Sequence, residues 1–288
     1  MALRDMKEKL AIWWDDLALG LGGNNISKVL AALLVVYIIL CLGFGWYWSR
    51  EPALFDVWDN AAQKSPGIDN APVPGVMTTA TAIGVAETLL NKAGGFTYND
   101  VSPPSIFMDN IPNWEYGALV QLRDMVRGIR DNFSRSQSQS TEDPYLKVAE
   151  PRFNYPADSW IMRSSESMYG EGIQQLTGYL NSLVQTQQTN AQFYARADNL
   201  RLWLEVVSTR LGSYSQRLSA SVGQARLNTD LAGDSAARQS TAAPTEIIVK
   251  TSWLEIDDNF YEARGACWAL VHFLKAVEYD FAEVLEKK

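Results

Sequence analysis

The sequence predicts an all-α protein: a single transmembrane helix followed by a helical bundle that contains a long antiparallel, coiled-coil-like hairpin. Three observations support this fold class. Residues 29–48 are 20 residues without a charge, which is the length of a membrane-spanning helix. Two later segments place apolar residues at alternating steps of three and four, as helices in a bundle do. Runs of β-branched residues, which are typical of strands, are scarce.

The first residues have the pattern of an amphipathic helix. Apolar residues recur there at helical spacing, and the charged residues lie largely on other faces. The apolar set is Leu3, Met6, Leu10, Trp13, Trp14 and Leu17. The glycines and asparagines at 20–25 then break the helix. We interpret it as a helix lying in the membrane interface, with docking on a cytoplasmic or membrane partner as the alternative.

The apolar run at 29–48 predicts an uncleaved membrane anchor. At a rise of ~1.5 Å per residue, 20 residues extend about 30 Å, which matches the hydrocarbon core of a bilayer. Aromatic residues close its far end and suit the headgroup region, whereas a cleaved signal peptide has a shorter apolar region followed by small residues. The anchor residues are Val29, Leu34, Ile38, Leu42, Trp46 and Trp48.

Basic residues predict the orientation of the anchor. Four precede it and two follow within the next twenty residues: Arg4, Lys7, Lys9 and Lys28 before, and Arg50 and Lys64 after. Because the positive-inside rule counts Lys and Arg, the amino terminus is expected in the cytoplasm and the remaining residues on the other side.

The runs GLGGNNISKVL and GFGWYWSREPALFDV, on either side of and within the anchor, resemble a family of proteobacterial single-pass inner-membrane proteins known only as a domain of unknown function. The similarity extends over most of the chain. It implies a bacterial inner-membrane location and a periplasmic carboxy-terminal domain, and it supplies no catalytic residues. We therefore divide the chain into a cytoplasmic amphipathic helix with a Gly-rich break (1–24), a transmembrane anchor (25–49) and a periplasmic all-helical domain (50–288).

The composition of the outer domain limits its partners. The first 48 residues contain four basic and four acidic side chains, so the formal charge of -8 belongs to the rest of the chain. An acidic domain is a poor candidate for binding nucleic acid, because phosphate contacts need clustered Lys and Arg. The expected partners are the lipid bilayer and a membrane or periplasmic protein, or a second copy of the chain. The two cysteines, Cys41 in the anchor and Cys267 outside it, offer no internal disulfide, and Cys267 is expected to be buried.

The sequence of the outer domain predicts helices that begin in its first third. One helix is predicted over 77–92, with glycines at 94 and 95 as its stop. Another starts near Asn113 and places apolar residues on one face: Leu119, Leu122, Val126, Ile129 and Phe133. Residues 134–144 are polar and predict an exposed loop.

Two apolar frames predict the hairpin. The first covers 169–218, and its polar positions Thr186 and Asn190 allow either one continuous helix of about fifty residues or two helices hinged at 187–190; we favour the continuous helix. The second frame consists of Ile256, Phe260, Ala263, Cys267, Leu270, Leu274, Val277, Phe281 and Val284. A small, polar loop at 228–245 joins the two, and the short run at 246–253 gives too little for a sheet.

Residues that carry chemistry are few. The sole histidine, His272, lies outside the second frame and is expected to be a half-buried helix residue; with no second histidine it predicts no zinc site, and no cofactor is expected. The fragment SSESMYGEGIQQL at 164–176 faintly resembles lytic transglycosylases, which implies Glu166 as a catalytic acid. The spacing departs from that family, so we predict instead a helix start with Ser164 or Ser165 as the cap and Glu166 in the first turn.

Three classes of function remain. We favour an envelope scaffold or adaptor without enzymatic activity. The alternatives are a peptidoglycan lytic enzyme that uses Glu166, and a ligand-sensing ectodomain that works through a separate transducer. The loop at 98–114 supplies the candidate partner-contact residues Phe107, Met108, Ile111 and Trp114, unless this loop packs back on the bundle.

Overall fold

The computed structural model describes residues 25–65, 73–136, 141–185, 191–227 and 246–286. The chain divides into two compact units, Met1–Trp48 and Ser49–Lys288. The amphipathic helix predicted before residue 25 lies outside the described residues, as do the loop at 228–245 and the polar positions Thr186 and Asn190.

The first unit contains helix α1, Asn25–Trp48. Its residues Ser27–Trp48 are apolar and long enough to cross a membrane, and no part of this stretch is buried by other parts of the structure. The anchor residues Leu34, Leu42 and Trp46 are each well exposed. This confirms one amino-terminal apolar helix that can be a membrane span or a signal sequence.

The second unit is a helical bundle, which confirms the all-α class. Its helices are α2 Val57–Lys64, α3 Val76–Asn91, α4 Asn110–Gly128, α5 Pro144–Phe153, α6 Ser165–Val184, α7 Ala197–Ala220, α8 Ile256–Asp280 and α9 Ala282–Glu286. A π-helical turn, Ile129–Phe133, continues α4. A two-stranded antiparallel ribbon, β1 Gln224–Leu227 and β2 Glu246–Val249, lies between α7 and α8. The β-branched run expected to give too little for a sheet is therefore one strand of this ribbon.

Local sequence explains where several helices begin. The Asp56 carboxylate accepts from the backbone N–H of Asp59 at the start of α2. Asp143 does the same for α5, where Pro144 occupies the first turn and has no N–H to satisfy. The Ser164 hydroxyl accepts from the N–H of Ser167 at the start of α6, which confirms the predicted cap.

Helices α4 and α8 form the centre of the bundle. They run in the same direction, because Asn113 contacts Asp258 near their starts and Phe133 contacts Phe281 at their far ends. Helix α3 runs the opposite way beside them. Every residue of α3 from 76 to 86 is buried, so it is enclosed on all sides rather than amphipathic.

The predicted continuous helix over 169–218 is wrong. Helix α6 ends at Val184, and residues 191–196 are not helical. The Tyr179 hydroxyl donates to the carbonyl of Gln192 at 2.7 Å, whereas in a continuous helix these residues would be about 20 Å apart. The segment turns back because Phe193 packs into the core against Phe133 and Phe281.

The antiparallel pairing of the hairpin is confirmed, but for a shorter helix. Arg217 near the end of α7 pairs with Glu262 near the start of α8, and Leu200 near the start of α7 lines a groove with Leu285 beyond the end of α8. The expected burial of Cys267 is wrong, since this cysteine is exposed. The buried face of α8 is turned toward α3 and α4 and follows Ala266, Leu270 and Phe273 instead.

Asp280 acts as a cap for a helix other than its own. The residue before α3, Gly75, has no side chain to cap the helix. The Asp280 carboxylate, at the end of α8, accepts from the backbone N–H of Thr78 at 2.7 Å. Burial raises the pKa of Asp280 to about 6, although the N–H groups at the start of α3 oppose this by stabilising the charged form.

This carboxyl group makes stability depend on pH. Because its pKa is raised in the folded state, its contribution is fully present below the ordinary value of 3.8 and is lost as the pH rises toward about 6. We expect Asp280→Asn to remove this dependence. As the pH rises from 3.8 to about 6, the free energy of unfolding of the wild type should therefore fall by about 3 kcal/mol relative to that of the variant. Chemical denaturation of both proteins at several pH values measures the difference.

Asp198→Asn, which removes an exposed carboxylate from the first turn of α7, is the control for the loss of one negative charge. A difference between wild type and Asp280→Asn that stays constant with pH would contradict the role assigned to Asp280.

Candidate interaction surface

Helix α7 is attached to the bundle along one narrow stripe. Its buried side chains are Leu200, Trp203, Val207 and Tyr214. Most other residues of the helix are exposed. Tyr214 packs against Ala263 and Ala266 of α8. Helix α7 is thus held on the surface of the bundle, with most of its circumference open to solvent.

Two ion pairs fix the position of α7. Arg210 donates to both carboxylate oxygens of Asp124 on α4, at 2.6 and 3.1 Å. Arg217 makes the same two-pronged contact with Glu262 on α8. The hydrogen bond that Arg210 donates to Asp124 is the main cause that raises the pKa of Arg210. Bidentate pairs of this kind add geometric specificity to the attraction, so the helix has a defined orientation.

A cleft of ≈ 700 Å³ separates α7 from α4. Leu202 and Val206 line one side, and Trp203 lies against Gly128 where α4 passes into its π-helical turn. Both signs of charge lie on the rim, including Arg127 and Asp131 and the Asp124–Arg210 pair. π-Helical turns are rare in proteins overall, and those that occur lie frequently beside functional sites.

A second groove of ≈ 820 Å³ lies on the other side of α7, toward α9. Leu200, Leu204, Val284 and Leu285 give it an apolar lining. The rim carries Arg201, Glu205 and Ser208. Exposed apolar groups therefore flank both edges of the stripe by which α7 is attached.

The two predicted apolar frames are only half buried. In α7 and α8 alternate frame positions enter the core, and the other positions stay in solvent. We call the exposed set the outer seam; it consists of Leu204, Leu211, Phe260, Cys267 and Leu274. Leu204 and Leu211 are both 40% exposed, and Leu274 is 41% exposed. The outer seam has the heptad spacing that packs against another helix.

The sequence predicted neither the cleft nor the exposure of the outer seam. Leu202, Trp203 and Val206 lie off the predicted frame, and their presence next to it was the available signal that α7 has more than one apolar face. Cys267 was expected to be buried because the frame alone does not tell which of its positions face α3 and α4.

The four predicted partner-contact residues separate in the structure. Phe107 is 81% exposed, and Met108 is half-buried. Ile111 and Trp114 are buried in the core, which corrects their assignment to a contacting loop. The reason is that α4 begins at Asn110 rather than near Asn113, so these residues belong to its inner face, where Trp114 packs against Trp268.

His272 is more deeply buried than expected, with 1% of its surface exposed. Its Nδ1 lies 2.7 Å from the carbonyl oxygen of Trp268, and its Nε2 accepts from the backbone N–H of Phe55 at 3.1 Å. These partners assign the proton to Nδ1 of a neutral ring. Burial lowers the pKa of His272, although the hydrogen bond to Trp268 opposes this. The ring therefore attaches the start of the second unit to α8.

Glu166 occupies the predicted first turn of α6, where it is half-buried. Its carboxylate accepts from the side-chain amide of Asn99 at 3.0 Å. The same amide donates to the carbonyl of Ser159 at 2.7 Å. Asn99 thus connects the loop before α4 to Ser159 and to the first turn of α6. In the part of the chain that the structure describes, no group of three His, Cys, Asp or Glu residues is placed to hold a metal ion.

Comparison with known proteins gives one match. A family model described as an uncharacterized protein conserved in bacteria (DUF2333) matches residues 23–288. No curated protein and no solved structure matches the chain. The match covers residues 23–48 of the first unit and all of the second, and it confirms the resemblance to a bacterial family known only as a domain of unknown function.

Proposed function

The chain belongs to this family of proteins conserved in bacteria, and we propose that it is a single-pass inner-membrane protein that acts as an envelope scaffold or adaptor. In this proposal α1 is the anchor, the amino terminus lies in the cytoplasm, and the bundle lies in the periplasm. The distribution of basic residues around α1 supports the orientation. We propose no enzymatic activity and no nucleic-acid partner for the bundle.

The outer seam carries the adaptor proposal. Leu204 and Leu211 on α7 and Leu274 on α8 keep heptad spacing on the solvent side of two antiparallel helices. Two such helices leave a groove that an amphipathic helix fills with its own apolar face. We assign this groove to an amphipathic helix of another membrane or periplasmic protein.

The attachment of α7 fits this role. A partner binds the outer seam most tightly if α7 is already in place, because the cost of ordering α7 on binding would weaken the complex. The pairs Arg210–Asp124 and Arg217–Glu262 hold the helix at two points without covering its apolar flanks. We infer that the outer seam has its binding arrangement already in the free protein.

Site-specific photo-crosslinking in the native host tests the proposal. A photoreactive amino acid replaces Leu204 or Leu211 in the full chain, and Val184 on α6, which is 41% exposed, serves as the matched control. We expect an adduct at 204 and 211 but not at 184, with the crosslink in an amphipathic helical segment of a different protein. Adducts with a second copy alone, or equal adducts at all three positions, would overturn the adaptor assignment.

A charge in the outer seam should abolish the same adduct. We expect Leu204→Lys combined with the photoreactive residue at 211 to lose the crosslink, because an ammonium group cannot be buried without a partner charge. Val184→Lys in the same background should keep it. Thermal unfolding of both variants checks that the bundle stays folded, since each substituted side chain is already partly in solvent.

A further inference from the structure

Helices α4, α6 and α8 all begin at the same end of the bundle. Asn113 of α4 donates to the carboxylate of Asp258 in α8 at 2.7 Å. Asn99, in the loop before α4, reaches Ser159 and Glu166 in the loop and first turn of α6. We call this end, with the loops at 99–109 and 157–164 and the segment 250–255, the entry end.

The ribbon between α7 and α8 belongs to the entry end as well. The backbone N–H of Thr251 donates to the carbonyl of Ala220 at the end of α7 at 3.0 Å. Arg217 in the last turns of α7 reaches Asn259 and Glu262 in the first turns of α8. The residues that turn from α7 into β1, and those of β2, therefore lie beside the start of α8.

Large apolar side chains protrude from these loops. Among the described residues of the second unit, those more than half exposed are confined to the entry end and to Leu54 in the preceding linker. At the entry end they are Val101, Ile106, Phe107, Trp160, Ile161, Met162, Val222, Ile248, Trp253 and Leu254. Met162, Val222 and Trp253 are 99%, 86% and 82% exposed. Such a concentration of exposed apolar side chains indicates a surface that contacts a membrane or another protein.

One of these loops holds a strained conformation. Met162 has φ of 63°, a left-handed value that is uncommon for a residue with a long side chain. In this conformation the Met162 side chain lies fully in solvent, so it makes no contact within the described residues that would offset the backbone strain. Local strain of this kind is concentrated at binding loops.

The linker before α2 lies along α8 and reaches toward this end. Phe55 contacts His272, and four residues earlier Glu51 pairs with Arg264 at 2.6 Å. Since residues 264 and 272 are about 12 Å apart along α8, the linker followed backward runs toward the start of α8.

We propose that the entry end is a second membrane-contact surface, whose protruding apolar side chains insert into the headgroup region of a lipid bilayer. This inference rests on the proposed anchorage by α1. Trp160 and Trp253 have the amphipathic rings that favour this region. Anchorage keeps the effective concentration of lipid high, so that shallow insertion of a few loops is sufficient.

The arrangement favours lipid over a protein partner. The side chains protrude in runs of one to three residues from four separate segments, whereas a protein interface is a continuous packed patch. The surrounding charge is acidic: burial, followed by the charges of Asp109, Asp257 and Glu255, raises the pKa of Asp258. The surface therefore suits zwitterionic headgroups, toward which no basic cluster is needed.

Fluorescence quenching in vesicles tests this surface with the full chain. Cys41 and Cys267 are replaced by serine, and an environment-sensitive fluorophore is attached to a single cysteine introduced by Met162→Cys or Trp253→Cys. Leu285→Cys, in α9 beyond the far end of α8, is the matched control, because Leu285 is also exposed. Leu34→Cys reports on the anchor. The protein is reconstituted in phosphatidylethanolamine and phosphatidylcholine vesicles that contain a nitroxide-labelled phospholipid.

We expect the fluorophores at 162 and 253 to be quenched several-fold more than the one at 285. Quenching at 34 without excess quenching at 162 and 253 would overturn the second contact surface and leave the anchorage intact. Absence of quenching at 34 would overturn the anchorage and, with it, the inference. The substituted side chains at the entry end are exposed, so the labels should not disturb folding.

Discussion

Replacing Gly117 by alanine is expected to destabilise the bundle severely. Gly117 on α4 lies against the backbone of α8: a Cβ built there would overlap the carbonyl oxygen of Glu262 and lie 2.9 Å from the backbone nitrogen of Ala266. The contact is reciprocal, since a Cβ on Gly265 of α8 would overlap the carbonyl oxygen of Trp114. The two central helices approach closely at these glycines, and backbone atoms cannot rotate away as side chains do.

We therefore expect Gly117→Ala and Gly265→Ala each to lower the free energy of unfolding by about 3 kcal/mol, the upper part of the range for overpacked cores. The effect runs against helix propensity, which favours alanine over glycine by about 1 kcal/mol. Thermal or denaturant unfolding of the full chain in mild detergent measures it.

Gly212 is the matched control. It lies inside α7, and a Cβ built there meets no atom within 4 Å. Gly212→Ala should raise stability by up to about 1 kcal/mol, since only helix propensity changes. If Gly117→Ala changed the free energy of unfolding in the same way as Gly212→Ala, that result would contradict the close approach of α4 and α8.

The sequence predicted α3 and the start of α6 well because their signals are local. Ser164 caps α6 as expected, and the glycines after α3 end it near the predicted residue. Apolar spacing also identified the antiparallel relation of α7 and α8. These features depend on neighbouring residues along one chain segment, which a reader of the sequence sees directly.

The candidate surface was harder to predict because it depends on which side of each helix the core takes. The two frames that include Leu204 and Cys267 were correct as spacings, yet both residues are exposed because α3 and α4 cover only one edge of the α7–α8 pair. The break after Val184 depends on Phe193 entering a pocket made by Phe133 and Phe281, residues far away in the chain. No local pattern specifies such a contact.

Lys92→Met is expected to have an effect at least as large as the glycine substitutions. The Lys92 ammonium and the Glu115 carboxylate lie 2.5 Å apart, with 2% and 0% of their side chains exposed. The carboxylate also accepts from the backbone N–H groups of Thr97 and Tyr98 at 2.9 and 2.8 Å. Glu115 thus fixes the chain that leaves α3, and Lys92 neutralises its charge inside the core.

Removal of one partner leaves an uncompensated buried charge, which costs about 3–5 kcal/mol. We expect Lys92→Met to lower the free energy of unfolding by this amount at neutral pH. Adding Glu115→Gln should recover most of the loss, because the amide needs no counter-charge. Arg201→Met breaks the exposed pair with Glu205 and should change stability by at most about 0.5 kcal/mol.

The pH dependence of the Lys92→Met variant distinguishes a buried charge from lost packing. Burial raises the pKa of Glu115, and Lys92 is the main group that lowers it. Without Lys92 the folded-state pKa lies further above the ordinary value of 4.5, so the stability of the variant falls as the pH rises through that range. Below the ordinary value Glu115 is protonated in both states, and the deficit relative to wild type should be smallest. A deficit of equal size at acid and neutral pH would mean that Lys92 contributes by packing and not by its charge.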